Sequence, residues 1–141
     1  MSAPTDDART TLHPAGWAAP RGYSHGVVAT GRQVVLAGQV GWDPATGEFA
    51  SDDLVGQTAQ ALRNVVTLLA AAGAGPRHLV RMTWFVTDRA AYMSARRDLA
   101  PIWRELIGPS FPPMSVVFVS ALVEERALIE IEATAMVEDR G

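Results

Sequence analysis

An α+β fold is what the sequence predicts, with strands toward both ends of the chain and two helices separated by a strand in the middle. Three observations carry this. Residues 53–72 and 88–106 place apolar side chains at helical spacing. The last strand, residues 128–136, alternates strictly, with Ile129, Ile131, Ala133 and Ala135 on one face and Glu130 and Glu132 on the other. The remaining apolar runs are short, rich in β-branched residues and bounded by Gly, Pro and Asp. At 141 residues, 48% apolar and 19% charged, the chain has room for one domain and one core.

The elements follow in order. Residues 1–12 are Ser, Thr, Asp and Pro-rich and bury little, so they are expected to be disordered, with a single domain over 13–141. Residues 23–30 and 33–40 read as two strands joined at Gly31-Arg32, a hairpin. Asp43-Pro44-Ala45-Thr46-Gly47 is a turn, and a short strand is expected near residues 48–50. The first helix carries Leu54, Ala61, Leu62, Val65, Leu68, Leu69 and Ala72 on one side, with Asp52 or Asp53 as N-cap and Gly73 as its stop. Residues 80–87 form a strand. In the second helix Tyr92, Leu99, Ile102, Trp103 and Leu106 make the buried stripe, and Gly108 ends it. Pro101 lies inside that helix, where it removes a donor and calls for a kink near Arg97 or a compensating neighbour. A stiff Phe111-Pro112-Pro113 loop then enters an apolar strand, residues 115–120, which is expected to return through a turn near 123–126 into the last strand as a second hairpin.

Composition excludes several chemistries. Cysteine is absent, which removes disulfides, thiolate nucleophiles and cysteine metal sites, and lysine is absent, which removes side-chain Schiff bases. A formal net charge of −3 with scattered arginines offers no stripe for a nucleic-acid backbone. Residues 1–11 lack the apolar run of a signal peptide, and no segment approaches the roughly 20 apolar residues of a membrane span, so a cytoplasmic protein without membrane partners is expected. His13, His25 and His78 show no metal-ligand spacing, and neither metal nor cofactor is expected.

The chemistry-bearing residues gather at one place in the pattern. Met114 stands where the proline loop becomes a strand, near the carboxylate-bearing strand of Glu130, and a loop-to-strand junction of this kind suits a small-molecule site. By base rate, Glu130 and Glu132 would simply be a solvated face.

The pieces Tyr23-Ser24-His25, Ala37-Gly38-Gln39-Val40, Asp43-Pro44-Ala45-Thr46-Gly47-Glu48, Gln57-Thr58, Ala71-Ala72-Gly73-Ala74, Met82-Thr83-Trp84-Phe85-Val86-Thr87-Asp88 and Ile129-Glu130-Ile131-Glu132-Ala133 stand in an order and spacing that resembles the Rid (reactive intermediate deaminase, YjgF-like) family, over residues 23–136. The resemblance implies a chorismate-mutase-like mixed sheet with two helices on one face, a homotrimer, and small-molecule sites between subunits. It also implies hydrolysis of 2-imino or 2-enamino acids without metal or cofactor, resting on an arginine that clamps the substrate carboxylate from a Pro-Ala-Arg-Ser run. Here that run reads Pro112-Pro113-Met114-Ser115, and methionine supplies no planar, charged, bidentate donor.

The same resemblance makes Glu130 the group that positions or activates water and Tyr23 the pocket tyrosine, preceded here by Gly22 instead of proline. Met114, Ser115, Val116, Ala37, Gly38 and Arg96 become the substrate-binding set, with Val116 at a common cysteine position and Arg96 near a common asparagine. Each has a plainer reading: Tyr23 as a packing aromatic, Glu130 as an interface acceptor, Met114 as apolar lining, and Arg96 and Arg97 as solvated charges. His25, two residues from Tyr23, is a possible proton donor but more often a satisfied histidine. Two classes stay open: a Rid-like hydrolase or deaminase with a changed substrate, and a non-catalytic trimer binding a metabolite or a partner.

Overall fold

The computed structural model of the chain describes residues 9–139. The elements are β1 Arg9–Leu12, β2 Gly26–Ala29, β3 Arg32–Val40, β4 Trp42–Asp43, β5 Glu48–Phe49, α1 Leu54–Ala71, a 3-10 turn Pro76–His78, β6 Leu79–Val86, α2 Arg89–Leu106, β7 Met114–Phe118 and β8 Ile129–Val137. The main sheet has the order β3-β8-β6-β7, with β6 and β7 parallel and the other neighbours antiparallel. Both helices pack on one face, which gives the α+β fold with a mixed sheet that the sequence predicts.

The helices form where local chemistry dictates. Asp53 caps α1 by accepting from the Gly56 N–H at 2.7 Å, and Asp88 caps α2 by accepting from the Ala91 N–H at 3.0 Å. Gly73, at φ 72°, carries the chain out of α1 in the left-handed conformation that glycine adopts without strain. Pro101 does not break α2, which is continuous from Arg89 to Leu106. Pro101 and Arg97 both lie on the exposed side, so the carbonyl deprived of its donor is on the water side of the helix. Leu62, Val65 and Leu69 of α1 and Leu99 and Trp103 of α2 meet Met82, Trp84 and Val86 of β6 and Ile129, Ile131, Ala133 and Ala135 of β8 to make the core.

Three expectations are corrected. β2 and β3 are not a hairpin: β2 pairs with β1, and β3 pairs with β8 in the register Val34↔Ala135 and Leu36↔Ala133. Gly31 shows why, because a Cβ there would lie 2.0 Å from the Val137 carbonyl oxygen, so the turn is seated against the end of β8. β7 and β8 are not a hairpin either, since β6 lies between them. The two edges of β8 are taken by β3 and β6, which leaves β7 to extend the sheet beyond β6, reached through α2 as a parallel crossover. Finally, Arg9–Leu12 is a strand and not part of a disordered lead-in, and the Arg9 guanidinium donates to the Leu79 carbonyl. The rest of that expectation, residues 1–8, lies outside the described residues.

One buried polar residue ties the layers together. Gln57, fully buried on α1, donates from Nε2 to the carbonyls of Ser51 at 3.1 Å and Arg126 at 3.0 Å, while its Oε1 accepts from the Leu128 N–H at 2.8 Å. It thereby fixes the entry to β8 against α1. Gln57→Leu, similar in volume, would strand one backbone donor and two carbonyls. A destabilisation of about 2–4 kcal/mol is expected in urea unfolding, and a loss below about 1 kcal/mol would show that the entry to β8 is held by packing alone.

Candidate ligand-binding site

A cleft of about 800 Å³ opens where α2 meets the edge strand β7. Its floor follows from register. β7 lies beside β6 with Met82↔Met114 and Trp84↔Val116, and Met82 and Trp84 face the helices, so Met114 and Val116 face the same way. They stand beyond the reach of α1, at the margin of the core, and line the cleft.

The loop that delivers Met114 is pinned from several sides. Phe111 stacks on Trp103 with ring centroids 5.4 Å apart and planes 7° from parallel. The Trp103 Nε1–H donates to the Ser110 carbonyl at 3.2 Å, the Met82 N–H to Pro113 at 3.1 Å and the Ser24 N–H to Pro112 at 3.2 Å. Ser24 and Pro113 form a parallel bridge, and Gly22, at φ 77°, turns the chain so that Tyr23 reaches the cleft. Tyr23 meets His25 edge-to-face at 5.4 Å.

Glu130 belongs to the other face of the sheet. It pairs with Phe85 on β6, whereas its neighbours Ile129 and Ile131 point into the core. Its side chain lies across Gly38, where a Cβ would sit 2.2 Å from the carboxylate Oε2. Gly38 and Ala37 form the irregularity in β3 between Leu36 and Gln39, so the bulge and the missing side chain together make the seat of Glu130. Ser115, between Met114 and Val116, pairs with Thr83 and is exposed on this face.

The residues singled out from sequence therefore fall into two groups within one chain. Tyr23, Met114, Val116 and Arg96 come together in the cleft, while Glu130, Gly38, Ala37 and Ser115 lie on the opposite, uncovered face. Arg97 is exposed and does not line the cleft. Sequence reasoning missed the aromatic walls. Trp84, Tyr92, Trp103 and Phe111 all line the cleft, and so do Arg21 and Arg104. Tyr92 and Trp103 read as core because they carry the helical period of the buried stripe. The available signal was the adjacent strip Tyr92, Arg96, Ala100, Arg104 at steps of four, an aromatic and two arginines beside the buried face. Burial pushes the Tyr92 phenol above its ordinary pKa, against the opposing charge of Arg96.

Two helices on one face of a mixed sheet, with a cleft at the sheet's edge, define a class of small α+β proteins. Residues 15–137 match the family model described as Endoribonuclease L-PSP. The chain belongs to this family, known also as the YjgF or Rid family. A crystal structure of a Rid-family protein of unknown function from Yersinia pestis superposes with a TM-score of 0.81 at 36% identity, covering 92% of this chain and 99% of that one. A RutC family protein of Pyrococcus horikoshii is 35% identical over 116 residues, 82% of this chain and 87% of the relative. The 2-iminobutanoate/2-iminopropanoate deaminase of Homo sapiens is 30% identical over 114 residues, 81% of this chain and 79% of the relative.

The contact between Gly38 and Glu130 is open to a direct test. Gly38→Ala is expected to destabilise the protein by about 1 kcal/mol when Glu130 is present and to be neutral in a Glu130→Ala background, a coupling that a double-mutant cycle of unfolding free energies measures. Additive effects would mean that the carboxylate does not rest on Gly38.

Proposed function

We propose that this protein is a cofactor-independent Rid-type hydrolase or deaminase acting on an imine, enamine or related reactive metabolite other than the usual 2-imino acids, in clefts completed between the subunits of a homotrimer. The observation that carries this reading is Met114: the family resemblance places a carboxylate-clamping arginine where this cleft has an apolar thioether. The protein named as 2-iminobutanoate/2-iminopropanoate deaminase among the relatives supports the reaction class. The separation of Glu130 from the cleft within one chain supports the assembly, because a second copy placed against the bare face would bring that carboxylate to a neighbour's cleft.

In this reading Glu130 takes a proton from water as the water oxygen bonds to the imine carbon. The C=N electron pair moves to nitrogen, which receives the proton from Glu130; Glu130 then relays the hydroxyl proton of the resulting carbinolamine to its amine, and the C–N bond breaks as the C=O bond forms, releasing ammonia. Tyr23 orients the substrate at the mouth of the cleft, and the protein remains unmodified throughout. No helix among the described residues is long and apolar enough to cross a membrane.

The loss of the clamp also favours a second reading, a trimer that binds a metabolite in the same clefts without turning it over. Glu130→Ala separates the two: in a catalyst it abolishes turnover while ligand affinity survives, and in a binding protein there is no turnover to lose. Light scattering is expected to find three copies of the 15.1 kDa chain, and a stable monomer at micromolar concentration would remove the inter-subunit site.

Met114→Arg addresses the substrate. A charge-assisted fork contributes about 1.5–3 kcal/mol, so the wild type should hydrolyse 2-iminobutanoate at least about tenfold less well than a protein that has the fork. The arginine variant should recover part of that activity over the spontaneous rate, with the imine made in situ by an amino-acid oxidase. Robust wild-type turnover would show that another residue, such as Arg96, does the clamping.

A further inference from the structure

We propose that the cleft takes an aromatic carboxylate, its planar ring held among the aromatic walls and its carboxylate at a rim of Arg96, Arg104 and Arg21. This rests on the reading of the cleft as the ligand site and names the class of molecule that fits it. The first ground is shape. Trp103 and Phe111, stacked within 7° of parallel, both line the cleft, as does Trp84, whose ring lies 6.1 Å from Trp103. Met114 and Val116 supply adaptable apolar floor.

The second ground is charge. Arg21, Arg96 and Arg104 line the cleft; among the described residues of one chain no carboxylate does, and the single Glu130 that a neighbouring copy would bring in the proposed trimer is outnumbered by them. None of the three is in an ion pair among the described residues, and the hydrogen bond of Arg96 is to the Met93 carbonyl of its own helix, at 3.5 Å. Aromatic walls alone would also suit a cation, but three guanidinium groups without an ion pair in the chain repel one and attract an anion. Arginine recognises a carboxylate in a bidentate fork, and its plane stacks on aromatic rings.

The wall also carries a reporter. Trp84 is 4% exposed, and its Nε1–H has no hydrogen-bond partner among the described residues. Buried polar atoms are nearly always paired, and this one belongs to a side chain that lines the cleft. A ring seated against this wall lies beside an indole whose N–H signal no protein acceptor dominates, so that signal reports occupancy of the cleft. The charge that a 2-imino acid gives to an arginine in the strand is here presented to the rim, on the helix side of the cleft.

Three stable, matched probes test this with the intact chain: 3-phenylpropanoate, butanoate and 3-phenylpropanamide, titrated by calorimetry while NMR follows the indole N–H signals of Trp84 and Trp103. The acid with the ring should bind at least about tenfold tighter than either the acid without it or the ring without its charge, and should shift both indole signals. Arg96→Gln combined with Arg104→Gln, both at exposed positions, should erase its advantage over the amide and leave the amide's affinity unchanged. Met114→Glu, which puts a like charge on the floor, should weaken the acid more than the amide. Butanoate binding as tightly as 3-phenylpropanoate, with the indole signals shifting, would overturn the aromatic class and leave the cleft as the ligand site. Binding of the acids with both indole signals unmoved would overturn the cleft itself, and the proposal with it.

Discussion

The register of β8 is the constraint on which the rest of this molecule depends. It is hydrogen-bonded on both edges, to β3 and to β6, and every second residue from Ile129 to Val137 is buried. A slip of one residue would send Glu130 and Glu132 into the core and the isoleucines to the uncovered face, at a cost of several kcal/mol for each carboxylate. The strand is thus held by what it would have to bury. Gln57 sets where it begins, by accepting from the Leu128 N–H, and Gly31 packs against where it ends. Between these points the bulge in β3 changes the parity of that strand, so that Leu36 faces Ala133 on the helix side while Val40 faces Glu130 on the other. The seat of Glu130 on Gly38 is a consequence of that parity change.

Legibility in the sequence followed the range of the interaction. Both helices were readable to within a residue or two, because Asp53, Gly73 and Asp88 act on backbone groups three or four residues away. The alternation of β8 was readable because one face is buried and the other is not. Strand partners were not readable in the same way. Adjacency in sequence suggests hairpins, yet β3 pairs with a strand nearly a hundred residues later, and β7 joins the sheet only after α2 has crossed over it. Arg9–Leu12 looks too polar to order, and it orders because β2 offers it an edge.

The candidate site divides along the same line. Tyr23, Met114, Val116 and Arg96 were found together because a family pattern preserves their spacing, and the fold does gather them in the cleft. That Glu130 lies on the far side of the sheet from Met114 is a matter of parity across three strands, which needs the sheet order before it can be counted. Trp103 shows the remaining difficulty. Periodicity assigns it to the buried stripe, and it is buried, but it is also a wall of the cleft and the platform for Phe111. Hydrophobic period reports burial and does not distinguish a core from the lining of a pocket.

The placement of charge in the cleft is where fold and function meet. A guanidinium at position 114 would stand on the floor, beside Val116 and near the buried indole of Trp84, where desolvation must be offset by a bound anion. Methionine removes that demand and lets the floor be apolar. The arginines that remain are on α2 and before Tyr23, exposed to water, and need no ligand to be stable there. If these arginines recognise the anion, as proposed, the charged end of a ligand is held apart from whatever sits deepest in the cleft. A small imino acid carries its carboxylate on the reacting carbon, so it cannot put one end at the rim and the other at the floor. A ligand that spans the cleft must be longer and, against Trp103 and Phe111, flat. On the proposed reading, the methionine at 114 and the aromatic walls are two parts of one change in what the cleft would hold.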